Sequence, residues 1–232
     1  MLGLIGAMDE EIIKISEIMT IEKTQDIGGL SFFVGKINAT QVVLVRSGIG
    51  KVNAAITATI LINTFKVDQV INIGVCGGVL RNSKPYDIIV SNKQGYSDVD
   101  VTSFGYAFGE VPHSPRLFSS DIVMKTKMIE LIEYFHYPYN EGVILSGDAF
   151  VTNRPDFMRI IAGSFSEDDV VGCDMESASI AQVCTTFKTP YLILRMISDL
   201  VGATDQMVTY ESVVEQSSVR MAKLIAAYCN KE

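Results

Sequence analysis

The feature that most constrains the fold is an uncharged apolar run near the C-terminus, residues 191–194, which ends shortly before Asp199. A short continuous run of this composition is typical of a strand buried inside a parallel sheet. Open α/β sheets place their ligands at the carboxyl ends of such strands. A second acidic segment, 174–176, precedes a helical stretch over 177–187. We therefore predict that Asp199 and Glu176 line one cleft.

Composition favours a globular chain with one substantial core. The 232 residues are 48% hydrophobic and contain no linker or repeat, which predicts one domain over 1–232. A net charge of -8 without a basic patch argues against nucleic acid or an anionic membrane as a partner.

Membrane insertion and secretion are not expected either. The uncharged stretch 52–65 is shorter than the roughly 20 apolar residues that cross a bilayer. Residues 1–8 lack the basic lead of a signal peptide and run directly into three acids. We expect a cytoplasmic protein.

Cysteine and histidine usage predicts neither a metal site nor a disulfide framework. No C-x-x-C pair occurs among the four cysteines, and there are two histidines. The cysteines are interpreted as small buried apolar side chains.

Strand and helix signals alternate along the chain. Strands are predicted at 2–5, 32–37, 41–46, 70–73, 86–90, 143–145, 170–171 and 191–197, and helices at 9–19, from 52, at 122–135, after 175 and over 210–228. This order predicts a three-layer α/β/α sandwich with a central mixed, largely parallel sheet. Residues 94–115 are predicted to form a long loop that is functional or belongs to an interface.

Familiar nucleotide and hydrolase motifs are incomplete. The segment Gly48-Ile49-Gly50 lacks the third glycine of a dinucleotide fingerprint, because that position holds Asn53. It also lacks the first glycine and the Ser/Thr of a P-loop. No G-x-S-x-G nucleophile elbow is present.

Three carboxylates remain as candidates for chemistry: Glu11, Glu176 and Asp199. At a helix start the dipole lowers the pKa of Glu11, so a general base there needs burial to oppose it. Read singly, the three are also compatible with a solvated first-turn acid, a helix N-terminal charge and a capping residue.

Six segments, in order, decide between these readings. The sequence resembles the bacterial 5'-methylthioadenosine/S-adenosylhomocysteine nucleosidases of the purine nucleoside phosphorylase superfamily over nearly its whole length, in residues 5–11, 47–55, 98–106, 146–150, 174–176 and 197–199. The resemblance implies a nucleoside phosphorylase-like domain that needs no cofactor and cleaves an adenine nucleoside. It also implies a homodimer with a shared active site.

The resemblance assigns the chemistry to two acids. Asp199 protonates N7 of the adenine, and Glu11 activates a water that attacks the ribose C1'. This is the two-carboxylate logic of glycoside hydrolysis. For Asp199 to hold a proton near pH 7 its pKa must be raised, which burial can do.

The resemblance also implies the binding residues. Glu176 accepts hydrogen bonds from the ribose hydroxyls, Met175 packs on the sugar, and Arg195 orients the neighbouring carboxylate. Phe150 stacks on the purine, and the Val151 backbone reads its Watson–Crick edge. The substrate also contacts Val75, Gly77 and Ser198, and its 5' group enters an apolar pocket made by Met8, Ile49 and Tyr210 together with Val101, Phe104 and Pro112 of a second subunit.

Two departures and two alternatives accompany this interpretation. Relatives commonly have serine at the position of Val75 and histidine at that of Ser97, so a hydroxyl contact is lost and substrate preference can differ.

A nucleoside phosphorylase is the first alternative function, but similar phosphorylases carry arginine at the position of Asn72 and lack the base that matches Glu11. A non-catalytic adenosine sensor is the second, although binding alone needs no water-activating carboxylate.

Overall fold

The computed structural model describes residues 1–80, 82–165, 169–204 and 206–230. Ten strands and six α-helices are found there, with one 3-10 turn at Thr102–Phe104. The strands are β1 Leu2–Gly6, β2 Thr20–Ile27, β3 Leu30–Ile37, β4 Thr40–Arg46, β5 Gln69–Gly78, β6 Ile88–Tyr96, β7 Phe118–Ser119, β8 Tyr139–Ser146, β9 Val170–Asp174 and β10 Tyr191–Leu200. The helices are α1 Asp9–Glu17, α2 Lys51–Asn63, α3 Ile122–Tyr134, α4 Arg154–Ser164, α5 Ser177–Phe187 and α6 Gln206–Tyr228.

The sheet is mixed, with parallel strands at its centre, as predicted. Strands β4, β1, β5 and β10 run parallel to one another, and β6, β8 and β9 form a second parallel group. Antiparallel pairings of β10 with β6 and of β5 with β9 join the two groups. The pairings β5–β10, β10–β6, β6–β8, β8–β9 and β9–β5 close these five strands into a ring, which the sequence did not predict.

Helices cover both faces of the sheet and make the outer layers. On one face α1 packs on β1, β4 and β5, α6 on β5 and β10, and α3 on β6 and β10, through apolar residues such as Ile15, Met128 and Leu224. On the other face α2 and α5 pack through Ala58, Leu61 and Ile180. Small residues on α2 and α5 allow close approach, so the layers bury nearly every side chain of the central strands.

Three elements were not predicted from the sequence: the edge strand β2, the two-residue strand β7 and the helix α4. Strand β2 is polar, mostly exposed and paired only with β3 at the sheet edge, so it has no apolar alternation to reveal it. Helix α4 is short, but its start carries recognisable signals: the Asn153 side chain accepts a hydrogen bond from the Asp156 N–H, and a proline lies in the first turn.

Several predicted boundaries were wrong by a few residues. Strand β5 continues through Gly74, Gly77 and Gly78, because both of its neighbours keep pairing with it there. Strand β6 begins at Ile88, since Tyr86 has a φ of 74°, which is incompatible with a strand. The same strand runs to Tyr96, so the first residues of the predicted 94–115 loop are sheet.

Candidate functional site

The carboxyl ends of the central strands border a cavity with an empty volume of about 630 Å³. Twelve of the residues predicted from the sequence line it, namely Met8, Glu11, Ile49, Val75, Gly77, Phe150, Val151, Met175, Glu176, Ser198, Asp199 and Tyr210. Its wall is mainly apolar with a few converging carboxylates, which is the usual make-up of a small-molecule site. No Lys or Arg occurs among the lining residues in the described part of the chain.

Glu11 enters this cavity from the first turn of α1 and is buried. Its Oε2 accepts hydrogen bonds from the backbone N–H groups of Ala7 at 2.6 Å and Met8 at 3.1 Å. Its Oε1 accepts one from the Val75 N–H at 3.0 Å. Burial raises the pKa of Glu11, and Arg195 and these three N–H groups oppose the rise. The carboxylate is therefore held in one orientation and made more basic than a first-turn acid on the surface.

Gly74 makes room for that carboxylate. A Cβ at this position of β5 would overlap Oε1 of Glu11. The absence of a side chain thus lets α1 place its acid directly against the strand.

Asp199 lies near the end of β10 and is also buried. Its Oδ1 is 2.5 Å from the Ser198 hydroxyl, and its Oδ2 accepts a hydrogen bond from Nε2 of Gln206 at 2.7 Å. Burial raises the pKa of Asp199, while both hydrogen bonds lower it. The direction agrees with the sequence-based expectation for a carboxyl that keeps its proton.

Ser198 can serve both protonation states of that carboxyl. Its Oγ lies 2.5 Å from Oδ1 of Asp199 and 3.2 Å from the carbonyl oxygen of Cys76. Because a hydroxyl has one hydrogen, it donates to Oδ1 when the carboxylate is ionised. When Oδ1 carries a proton, Ser198 accepts from it and donates to Cys76. The pair can thus change protonation without leaving a buried donor unsatisfied.

Glu176 precedes α5 and is held by the opposite helix. Its Oε1 accepts a hydrogen bond from the Gly50 N–H at the start of α2, at 2.9 Å. Burial, with added repulsion from Asp174, raises the pKa of Glu176 to about 7. The favourable helix terminus and the nearby Arg195 partly offset these effects.

Arg195 lies behind the cavity wall and is fully buried. Its Nε donates to Oδ2 of Asp174 at 3.0 Å, and Nη2 donates to Oδ1 of Asn72 at 2.6 Å. Nη2 also forms an ion pair with Oδ2 of Asp174, at 2.9 Å. Its distance to Glu176 is 4.0 Å. Asp174 is further held by the Ser146 and Ser177 hydroxyls. The guanidinium therefore fixes the acidic segment mainly through Asp174.

An aromatic corner closes the apolar side of the cavity. The rings of Phe150 and Tyr210 meet edge to face with centroids 5.7 Å apart. The Tyr210 hydroxyl donates to the sulfur of Met8 at 3.3 Å. Three distant segments thus supply one surface suited to a flat or apolar group.

Comparison with known proteins agrees with this geometry. The sequence model of the phosphorylase superfamily matches residues 1–230. A 5'-methylthioadenosine/S-adenosylhomocysteine nucleosidase from Hydrogenovibrio crunogenus is 38% identical over 96% of this chain and 95% of its own. The chain belongs to this nucleosidase family.

Solved structures of the nucleosidase family share the fold. The enzyme of Neisseria meningitidis, in complex with methylthio-immucillin-A, has a TM-score of 0.91 and 33% identity, covering 97% of this chain and 96% of that one. The enzyme of Colwellia psychrerythraea 34H, in complex with adenine, has a TM-score of 0.91 and 35% identity, covering 97% and 92%.

Four of the residues predicted to contact the substrate do not line the cavity. Arg195 acts from behind it, as described above. Val101, Phe104 and Pro112 do not line the cavity within this one chain, and Phe104 is 82% exposed. Their assignment to the substrate pocket depends on a second subunit and stays a prediction.

Sequence reasoning missed three polar contributors. Asp174 was read only as part of an acidic segment, although it is the main partner of Arg195. Ala7 supplies the shortest hydrogen bond to Glu11. Gln206 lines the cavity and contacts Asp199, and no pattern in the sequence marks it because the contact depends on how α6 begins.

In the residues with described positions, no group of three or more His, Cys, Asp or Glu side chains could hold a metal ion. None of the helices in that part of the chain combines the length and apolar character needed to span a bilayer.

Proposed function

We propose that this chain hydrolyses the N-glycosidic bond of 5'-methylthioadenosine and S-adenosylhomocysteine, releasing adenine and the 5-substituted ribose. 5'-Deoxyadenosine, which shares the adenine and ribose, is proposed as a further substrate. The observation that carries this proposal is the pair of buried carboxyl groups, Glu11 and Asp199, that face one cavity. Membership of the nucleosidase family supports the same conclusion.

Asp199 is proposed as the general acid. Adenine is a poor leaving group as an anion, so N7 must gain a proton as the bond from C1' to N9 breaks and its electron pair moves into the base. Burial raises the pKa of this carboxyl, and the Ser198 hydroxyl can accept a hydrogen bond from its protonated form before the reaction. When Asp199 loses that proton, Ser198 can turn its hydroxyl to donate to the carboxylate, which stabilises the ionised form.

Glu11 is proposed as the general base. It accepts one proton of a water molecule while the water oxygen bonds to C1' of the oxocarbenium-like transition state. Three backbone N–H groups keep the carboxylate ionised before the reaction, and its burial keeps it basic. Glu176 is proposed to accept hydrogen bonds from the ribose 2' and 3' hydroxyls.

The remaining predicted residues are proposed as binding contacts. Met175 would pack on the sugar, Phe150 would stack on the purine, and the Val151 backbone would read its Watson–Crick edge. Val75, Gly77 and Ser198 would border the base, while Met8, Ile49 and Tyr210 would contact the 5'-alkylthio group. The edge-to-face contact of Phe150 with Tyr210 supports this assignment, since it joins the two subsites in one apolar wall.

Hydrolysis is favoured over phosphorolysis by charge. The cavity wall carries no Lys or Arg among the described residues, and several carboxylates there would repel phosphate. Asn72 is neutral, and its amide is already engaged with the Ile5 carbonyl and Arg195. Arg195 is in turn committed to Asp174. Among the described residues, no Lys or Arg lines the cavity, and the buried Arg195 is already paired with an acid.

One assay tests the reaction against both alternatives. Adenine release from 5'-methylthioadenosine is measured in phosphate-free buffer and again with phosphate added. We expect equal release in both. Formation of methylthioribose-1-phosphate with no activity in phosphate-free buffer would identify a phosphorylase. Tight binding of the nucleoside with no adenine release in either buffer would identify a sensor.

We further propose a cytoplasmic homodimer in which each chain is a single nucleoside phosphorylase-like domain over 1–232. The apolar side chains of Ile49, Val52 and Phe104 are at least half exposed, which is costly on a free surface. Lys51, between the first two, contacts Asp98 at 2.6 Å, close to the loop that carries Phe104. A two-fold interface would cover this region and bring Val101, Phe104 and Pro112 to the neighbouring site.

A further inference from the structure

The amide of Gln206 lies at an unusual place in the cavity wall. Its Nε2 donates to Oδ2 of Asp199 at 2.7 Å and to the carbonyl oxygen of Val151 at 2.9 Å. Its Oε1 accepts a hydrogen bond from the Gly202 N–H at 3.1 Å. The side chain is buried, and it faces the cavity. One nitrogen thus joins the proposed general acid to the backbone that is proposed to read the base.

Those two acceptors suit one part of an adenine ring. A protonated carboxyl group offers a donor and an acceptor side by side, which matches the N7 acceptor and 6-amino donor of adenine. With N7 at Asp199 and the Watson–Crick edge at Val151, the 6-amino group falls between the two residues. An aryl amine and a side-chain amide both present two hydrogens on a trigonal nitrogen. Gln206 therefore offers the same hydrogens to the same two oxygens.

We propose that the Gln206 amide occupies the position of the substrate's 6-amino group in the unliganded protein, and that an adenine nucleoside must displace it to bind. This inference rests on the proposed function. Gln206 is the first residue of α6, and Gly202, in the turn that follows β10, has a φ of 78°. Gln206 is then a specificity residue: a ligand regains both hydrogen bonds only if it brings an amino group.

If the Gln206 amide competes with the ligand in this way, the affinity for adenine should show it. When the competent state is only a fraction of the population, the apparent dissociation constant rises by the inverse of that fraction. Removing the amide removes the competitor, so Gln206→Leu should bind adenine about tenfold more tightly, mainly through faster association. A residue that merely supported Asp199 and Val151 would have the opposite effect, because its loss would loosen both contacts.

The experiment is calorimetric titration of adenine into the wild type, Gln206→Leu and Gln216→Leu, with association rates from stopped-flow fluorescence. Gln216 is exposed on the same helix and serves as the matched control. Gln206→Ala is the second variant, in case leucine disturbs folding. A dissociation constant that is unchanged or higher in both Gln206 variants overturns the proposal. If wild-type protein binds no adenine, the base site itself is wrong, which is a different failure.

Discussion

Arg195 forms an ion pair with Asp174 at 2.9 Å and donates one hydrogen bond to it from Nε, but stands 4.0 Å from Glu176. The buried positive charge thus compensates Asp174 more than Glu176, although both acids line the cavity. Burial raises the pKa of Glu176 to about 7, and Asp174 adds to the rise. The acid proposed to hold the ribose therefore titrates near neutral pH.

This shift predicts a pH dependence of stability. An acid whose pKa is higher in the folded than in the unfolded protein stabilises the fold fully below its ordinary value of 4.5, and this contribution is lost as pH rises through about 7. The free energy of unfolding should fall by roughly 2 to 3 kcal/mol between pH 5 and 8 on this account. Urea unfolding across that range should show a flatter profile for Glu176→Gln. Parallel profiles for the two proteins would contradict the prediction.

Asp199→Asn should lower kcat about 100-fold or more, since the amide cannot give a proton to N7. The variant keeps an oxygen that can accept from the 6-amino group of the substrate, so substrate should still bind. Steady-state kinetics with 5'-methylthioadenosine measure both quantities, and Asp26→Asn, on an exposed acid of β2, provides the control. A kcat near that of the wild type would show that another group is the proton donor.

Glu11→Gln should reduce kcat by a similar factor, about 100-fold. Glutamine cannot take a proton from water, and its NH2 group would face the backbone N–H groups that the carboxylate now accepts from. A lower melting temperature should accompany the loss. Glu10→Gln changes the exposed neighbouring acid and should leave both properties unchanged. Equal activity of the two variants would remove Glu11 from the mechanism.

Gly74→Ala tests the position of the base without changing any functional group. The added Cβ would overlap the Glu11 carboxylate, so the acid must move and kcat should fall by about 10-fold or more. Gly163→Ala on α4 adds the same methyl group where no atom lies within 4 Å. That control should be active and slightly more stable, as alanine is the better helix former. Activity that is equal in both variants would show that Glu11 tolerates displacement.

Phe104→Ala should weaken dimerisation and raise the KM for 5'-methylthioadenosine, with little effect on adenine binding. The ring is 82% exposed in the single chain, as an interface residue would be. Tyr134→Ala removes an aromatic ring that is 75% exposed on α3 and should change neither property. Sedimentation velocity at micromolar concentration measures the oligomeric state. A fully active monomer would rule out the shared site.

Most of the strands and helices, and three of the acids that line the cavity, could be predicted from the sequence. Residues 191–194 are too apolar to be anything but buried, and an acid that follows such a strand lies at the ligand-binding edge of a parallel sheet. Glu11 and Glu176 were also identified, and both line the cavity beside Asp199. Local patterns were sufficient here because apolar periodicity and strand direction depend on neighbouring residues.

The pKa shifts and hydrogen bonds of these acids were decided by the tertiary structure alone. The closure of five strands into a ring brings β9 against β5, and no local signal encodes a pairing between strands about 90 residues apart. The hydrogen bonds from Val75 to Glu11 and from Gly50 to Glu176 cross 64 and 126 residues. The Gln206 contacts depend on where α6 begins. Burial and hydrogen bonding set a carboxyl group's pKa, and both arise only when distant segments pack together.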